Sequence, residues 1–421
     1  MKIALMTLGS TGDVFPFEIL GKHLTQEGHD VTIFSQNFHQ KRVQEASLKF
    51  VGYGDSENDF PLFNKMLDNV NATKNPVKKM HVLLDEMYLF RGEEHFSTFL
   101  EKTKGFDIGL VNMYDHISME ALIQNNIPWL TVDFCPALVP TKYDGPETVP
   151  SLGPLINPLL WKVTRWLFRS CDKKITEYLG SLGGTRVNIN FMATFSPHGH
   201  IYSVSKHLAK FFPDLPDNHT VTGPWQPENN DLNHWQPHQE LLDFVQVKEK
   251  PVVVSFGSMG GTEGDEITAK VIEAINISST RAIIQRGYAN LGSDLQNNTN
   301  KNIIFVDYVP HNYLFKHASM VVHHGGAGTT VAVCKAGAPS IVIPHLGDQP
   351  YWAQQLQRVG VSPAPIAQEK LNSKTLSKRI TEVISNKKYA DAASLLANAI
   401  NQENGLSSAT KTIEKAYRHA Q

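Results

Sequence analysis

The run VVHHGGAGTT, Val321 to Thr330, ends an apolar stretch in two imidazoles, three glycines and two hydroxyls. If Met320 to His324 is a strand and a helix begins near Thr329, then Gly325, Gly326 and Gly328 let the main chain approach an anion closely. Free N–H groups then point at that anion, backed by the helix dipole. His324 adds a donor to a phosphate oxygen, and Thr329 and Thr330 donate from hydroxyl or main chain. The alternative is a tight strand-to-helix turn whose histidines are satisfied at a surface. As a dinucleotide fingerprint the run is incomplete, because Gly326-x-Gly328-x-x-Val331 lacks the third glycine and an acidic ribose partner.

Two further loops carry chemistry-bearing residues. In PHLGDQPYWAQQL, Asp348 and Gln349 precede Pro350 and a helical pattern; one of them can simply cap the helix. Together, a carboxylate and an amide can also hold two neighbouring sugar hydroxyls, one accepting and the other both donating and accepting. In LGSTGDVFPF, Asp13 lies between a strand and a helix. There a carboxylate serves either as general base toward an alcohol or as a helix cap.

The elements that must position these loops are strands alternating with helices. Ile3 to Leu8 reads as a buried strand. A helix follows with Pro16 in its first turn, an apolar stripe at Phe17, Leu20 and Leu24, and Gly28 at its left-handed end; Val31 to Ser35 reads as the next strand. That is a βαβ unit, and it implies a parallel sheet with right-handed crossovers. Around residues 224–250 the pattern fails amid prolines and asparagines and reads as a linker. PVVVSFGS then restarts it, with a helix near Glu266 to Ile277 and strands at RAIIQ, NIIFVDYV, MVVHH and SIVIP. The tail from about Asp391 is helical in composition. The expected organisation is an N-terminal domain over 1–223, a linker over 224–250, a second domain over 251–390, and C-terminal helices over 391–421 that pack back on the first domain.

With 421 residues, two cores are the default. A net charge of −2 gives no field that favours nucleic acid. Three scattered cysteines, Cys135, Cys171 and Cys334, suggest neither a disulfide framework nor a zinc site. No leader peptide or apolar span is legible, so a cytoplasmic location is expected.

Taken in order, the motifs resemble the GT-B glycosyltransferases of the UDP-glycosyltransferase type, which include sterol, macrolide, glycopeptide and rhamnolipid glycosyltransferases. The likeness runs over nearly the whole chain: Gly9, Ser10, Gly12, Asp13, Val14 and Pro16 at the start, then VTGPW, SFGS, DYVPH, HHGGAGTT and P-x-x-x-D-Q. It implies an α/β fold of two doubly wound, Rossmann-like parallel-sheet domains with an interdomain cleft. It also implies that His324 contacts the donor diphosphate, with Ser10, Gly12, Ser258, Gly326, Gly328 and Thr329 around the donor. By the same likeness Tyr308 stacks on the base, Asp348 and Gln349 hold sugar hydroxyls, and Asp13 deprotonates the acceptor. Two positions depart from many relatives. Thr11 replaces an arginine, which keeps a deoxyhexose donor open. Asn112 stands where histidine-based relatives carry a supporting aspartate, leaving Asn112, Asp115 and His116 as candidates to assist.

The implied reaction moves a hexose, with glucose from UDP the first expectation, to a hydroxyl of a hydrophobic acceptor such as a sterol, polyketide, carotenoid or lipid. Inversion is implied, with no cofactor beyond the nucleotide-sugar co-substrate. No D-x-D triplet occurs in the sequence, in keeping with a metal-independent route. The alternatives are a dTDP-deoxyhexose donor, a non-catalytic nucleotide-sugar binder, and an NAD(P)-dependent oxidoreductase; the last should show a complete glycine fingerprint after its first strand. Residues 154–174, PLINPLLWKVTRWLFRSCDKK, read as a helix with two tryptophans and several bases. It either packs over the acceptor site or rests weakly in a membrane interface.

Overall fold

A computed structural model of the chain describes residues 1–421 except 147–148, 187–188, 192–193, 228–234, 257–263, 288–299 and 346. It divides into two compact units, one of Met1–Lys206, Lys210–Trp225 and Asn404–Gln421, the other of His207–Ala209 and Gln226–Glu403.

The first unit holds a seven-stranded sheet: β1 (Lys2–Met6), β2 (Asp30–Gln36), β3 (Lys49–Tyr53), β4 (Ile108–Asn112), β5 (Trp129–Asp133), β6 (His200–Tyr202) and β7 (His219–Val221), in the order β3-β2-β1-β4-β5-β6-β7. All neighbouring strands in it are parallel. The second unit holds β8 (Val252–Ser255), β9 (Ala282–Gln285), β10 (Ile303–Val306), β11 (Met320–His323) and β12 (Ser340–Val342), also parallel, in the order β10-β9-β8-β11-β12. Short runs of branched residues form these strands because both faces of each sheet are covered. In β1, Ile3 and Leu5 enter one core and Ala4 and Met6 the other. In β8, Val252 and Val254 face one core and Val253 the opposite one.

Strand order locates the sites. In each sheet the connection direction reverses once, between β1 and β4 and between β8 and β11. At such a reversal adjacent crossovers leave to opposite faces, so a crevice opens beyond the carboxyl ends. Asp13 follows β1, Asn112 ends β4, and the glycine loop follows β11.

Three sequence readings shift. The first helix spans Thr11–Gln26, so Pro16 lies inside it and not in its first turn. Its missing N–H forgoes one intrahelical bond. Gly28 does take the left-handed conformation beyond the cap, with φ 86°. Within the expected linker, Gln239–Val245 is helical and buries Leu241 and Phe244 in the second core. Two apolar residues in so polar a stretch leave no periodicity to read. The C-terminal helices part company. Lys387–Ile400 belongs to the second unit, whereas Gly405–Ala420 belongs to the first, placing Leu406, Ala409 and Ile413 in the core with Phe17 and Trp225. A side chain at Gly405 would run into the carbonyl oxygens of Pro224 at 2.5 Å and Gly223 at 2.7 Å, so this helix begins flush against that main chain.

Candidate functional site

The glycine loop of the second unit has the geometry of a candidate anion site. Gly325 turns the chain with φ 93°, and a Cβ there would stand 2.8 Å from Val342 Cγ1 and 3.1 Å from the carbonyl oxygen of Gln349. Only glycine lets the HHGGAGTT loop lie against the Asp348–Gln349 loop. Gly326 then caps the helix Ala327–Ala336, with no side chain capping it. The first-turn amides of Ala327, Gly328 and Thr329 have no intrahelical carbonyl to bond, and they carry the positive end of the helix dipole. Gly328 is exposed, with open space where its side chain would be.

His324 lies behind this turn, buried, its Nε2 so close to Gly326 that a Cβ there would approach within 2.5 Å. Burial, aided by the neighbouring rings of His323, His345 and His311, pushes its pKa down to about 3, opposed by a hydrogen bond from the ring to the Ser255 main chain. The ring is therefore neutral, with one donor and one acceptor. Its Nδ1 is buried without a partner, as are Nε2 of His323, Nδ1 of His345 and Oγ1 of Thr330. Buried polar atoms are nearly always paired, so a group of orphans at a sheet's carboxyl end marks a candidate site for a polar ligand. Among the described residues no group of His, Cys, Asp and Glu is arranged to hold a metal ion.

Neighbouring loops complete the surroundings. Gln349 is buried and its Oε1 accepts from the His345 amide at 2.7 Å, so the side chain braces its own loop. Asp348 occupies the N-cap position of the helix Gln349–Arg358 without capping it; its Oδ2 instead accepts from Trp352 Nε1 at 2.8 Å. Tyr308 is 73% exposed, free to present a ring face. Its loop is pinned from below, since Gln285 donates to the Val309 carbonyl at 2.9 Å and Ser255 donates to Gln285 at 3.0 Å. Ser258 lies outside the described residues.

In the first unit Asp13 makes the capping box of its helix. Its Oδ2 accepts from the Ser10 amide at 2.8 Å and the Ser10 hydroxyl at 2.9 Å, while Ser10 Oγ accepts from the Gly12 amide at 3.2 Å. Ser10 and Gly12 thus shape the Asp13 turn, and Gly12 is exposed. Capping occupies one carboxylate oxygen; Oδ1 has no hydrogen-bond partner among the described residues. Desolvation raises the Asp13 pKa above 3.8, and the Ser10 bonds oppose the rise. A carboxylate so held is more basic than an exposed aspartate.

The Asp13 turn rests on two residues that sequence reading did not single out. Gly9, at φ 117°, would place a Cβ 2.6 Å from Asp13 Oδ2. Its amide donates to Gln36 Oε1 at 3.1 Å, and its carbonyl accepts from His39 Nε2 at 3.0 Å. Burial holds His39 neutral, its pKa down to about 4. Asn112 is buried and accepts from the Tyr114 amide at 3.0 Å. Asp115 caps the helix His116–Gln124, taking the Ser118 amide on Oδ1 at 3.0 Å and the Ser118 hydroxyl on Oδ2 at 2.5 Å. Both its oxygens are spent, and neither Asn112 nor Asp115 is hydrogen-bonded to Asp13. His116 is buried with both ring nitrogens unpartnered. Gln36, Ser255, Gln285 and His323 share one legible signal: each is the last residue of a parallel strand, where ligands gather.

Two wound parallel-sheet units make a GT-B fold, and solved structures bear this out. The glycosyltransferase VinC in complex with dTDP superposes with a TM-score of 0.69 over the whole of both chains at 15% identity. In sequence, residues 3–88 match the glycosyltransferase family 28 N-terminal domain, and residues 281–409 match the erythromycin biosynthesis protein CIII-like C-terminal domain. A sterol 3-beta-glucosyltransferase of Arabidopsis thaliana is 27% identical over 99% of the chain, which spans 65% of that protein's length. The O-mycaminosyltylonolide 6-deoxyallosyltransferase of Streptomyces fradiae is 27% identical over 99% of the chain and 97% of its own length. The chain thus has the GT-B fold, and along nearly its whole length its sequence is similar to glycosyltransferases.

Proposed function

We propose that the protein transfers a hexose from a nucleoside diphosphate-sugar to a hydroxyl of a hydrophobic acceptor, a sterol or a polyketide, with inversion at the anomeric carbon. The observation that carries this reading is the row of unpaired first-turn amides, with the His324 ring packed against Gly326 at the start of the same helix. As the sugar leaves, negative charge grows on the diphosphate. Fixed donors already aimed at that position stabilise the charge without reorganising. The charge is thus met by main-chain dipoles and a neutral imidazole, without a cofactor or a divalent cation.

Asp13 takes the acceptor proton on Oδ1, while Oδ2 stays tied to Ser10 so that the carboxylate keeps its orientation. Asp348 and Gln349 orient the sugar, and Tyr308 stacks on the base. UDP-glucose is the first expectation for the donor. A second reading, a deoxyhexose from a dTDP-sugar, is favoured by Thr11 and by the relative named as a 6-deoxyallosyltransferase. Thermal-shift titration with UDP, dTDP and their sugars tests the binding half, because a ligand selective for the folded state raises its melting temperature. A flat response to every nucleoside diphosphate refutes the proposal.

A further inference from the structure

The helix Asn157–Ser181 is apolar on two opposite sides. Its inner side places Cys171, Ile175 and Leu179 in the core of the first unit. On its outer side and in the turn before it, Leu152, Leu155, Ile156, Leu159, Val163, Trp166 and Leu167 are exposed, Leu155 by 93% and Trp166 by 57%. Half of all the large apolar side chains exposed among the described residues fall in this one segment, at the spacing of a single helical stripe.

Charge beside the stripe selects what covers it. No Asp or Glu stands between Glu147 and Asp172, whereas Lys162, Arg165 and Arg169 do, all exposed and none in a salt bridge among the described residues. Arg169 lies over the Trp166 ring at 5.0 Å, an aromatic and a cation paired at one level of the helix. A second copy of the chain would bring like charges together across the stripe. An anionic surface with an apolar interior satisfies both the stripe and its basic margin. We infer that the outer face of Asn157–Ser181 docks on the surface of an anionic lipid bilayer, lying in the plane of the interface. Among the described residues no helix is long and apolar enough to cross a membrane, so the contact is peripheral.

The test is flotation of the full chain with vesicles of phosphatidylcholine alone and of phosphatidylcholine mixed with phosphatidylglycerol. The protein should float with the mixed vesicles and far less with the neutral ones. Removing one interfacial charge weakens partition roughly fivefold, so Lys162→Gln, Arg165→Gln and Arg169→Gln together should cost on the order of a hundredfold. Leu159→Ser with Leu167→Ser should also weaken it, and all these exposed positions should leave the melting temperature unchanged. A blue shift of tryptophan emission on mixed vesicles should vanish in Trp166→Phe. Equal partition by the triple glutamine variant, or no flotation at low salt, overturns the inference. So does concentration-dependent dimerisation that the serine variant abolishes.

Discussion

Substituting the two glycines that flank Ala327 should separate stability from affinity. Gly328 is the second residue of the helix Ala327–Ala336, and no atom lies within 4 Å of where its Cβ would stand. Alanine there stabilises the helix by about 0.5–1 kcal/mol, raising Tm by roughly 2–4 °C. If a phosphate rests on the first-turn amides, that methyl takes the space of a phosphate oxygen. Loss of one hydrogen bond to a charged group, about 1.5–3 kcal/mol, weakens the nucleotide roughly 10- to 150-fold. Gly328→Ala should therefore melt later and bind worse. Gly326 has φ −62°, which any residue tolerates, but its Cβ would stand 2.5 Å from His324 Nε2. An ordinary contact begins at 3.4 Å, so the buried imidazole must retreat by about 1 Å. Gly326→Ala should lose affinity together with about 1–3 kcal/mol of stability from overpacking. Scanning fluorimetry and calorimetric titration with UDP and dTDP read both quantities. A Gly328→Ala protein that binds as the parent does would show that the amides hold no phosphate, and the proposed function would lose its basis.

Three further outcomes follow from the same geometry. Asp13→Asn should lower transfer by about 10²- to 10⁴-fold while leaving nucleotide affinity unchanged, and the acid limb of the parent's pH–rate profile should lie above the ordinary carboxylate value of 3.8, since burial raises this group; unaltered turnover in the variant removes Asp13 from its role. Tyr308→Ala should weaken a nucleoside diphosphate by about 1–3 kcal/mol and inorganic pyrophosphate not at all, if the exposed ring stacks on the base. Acid should destabilise the fold, because His39, His95, His323 and His324 are buried with pKa values down to about 4, 3, 3 and 3 from an ordinary 6.5. With folded values depressed, the unfolded chain binds more protons below 6.5. Their contribution is full above that value and is lost as the pH falls toward the folded values. One pH unit below 6.5 each costs about 1.4 kcal/mol, whereas Asp115, raised to about 6, offsets about 1 kcal/mol. Calorimetry at neutral pH and near pH 5.5 should show Tm falling by well over 5 °C, and an unchanged Tm contradicts the buried, neutral assignment.

How much of this was legible in the sequence depended on the range of each signal. The wound sheets were readable because branched runs alternate with helical stripes locally, and the glycine loop because three glycines in four positions have few conformational reasons to exist. The cap before the first helix was readable only in part: the sequence offered Asp13 as a cap, whereas Ser10 is the N-cap and Asp13 closes the box three residues on. Gln36 and His39 were not readable, because they grip Gly9 from across 27 and 30 residues and nothing in their own neighbourhood marks them. Asp348 shows the limit within a single turn: its position announced a cap, yet the indole of Trp352, four residues on, took its carboxylate. The helix Asn157–Ser181 shows the limit for faces. Periodicity tells which positions share a side of a helix, but it does not tell which side is covered. Trp161 and Trp166 looked equivalent in sequence; one is buried and the other stands 57% exposed beside Arg169. Only the packing of the inner face on Cys171, Ile175 and Leu179 leaves the outer stripe with nothing of its own unit to cover it, which turns an ambiguous amphipathic pattern into a surface with a specific chemical demand.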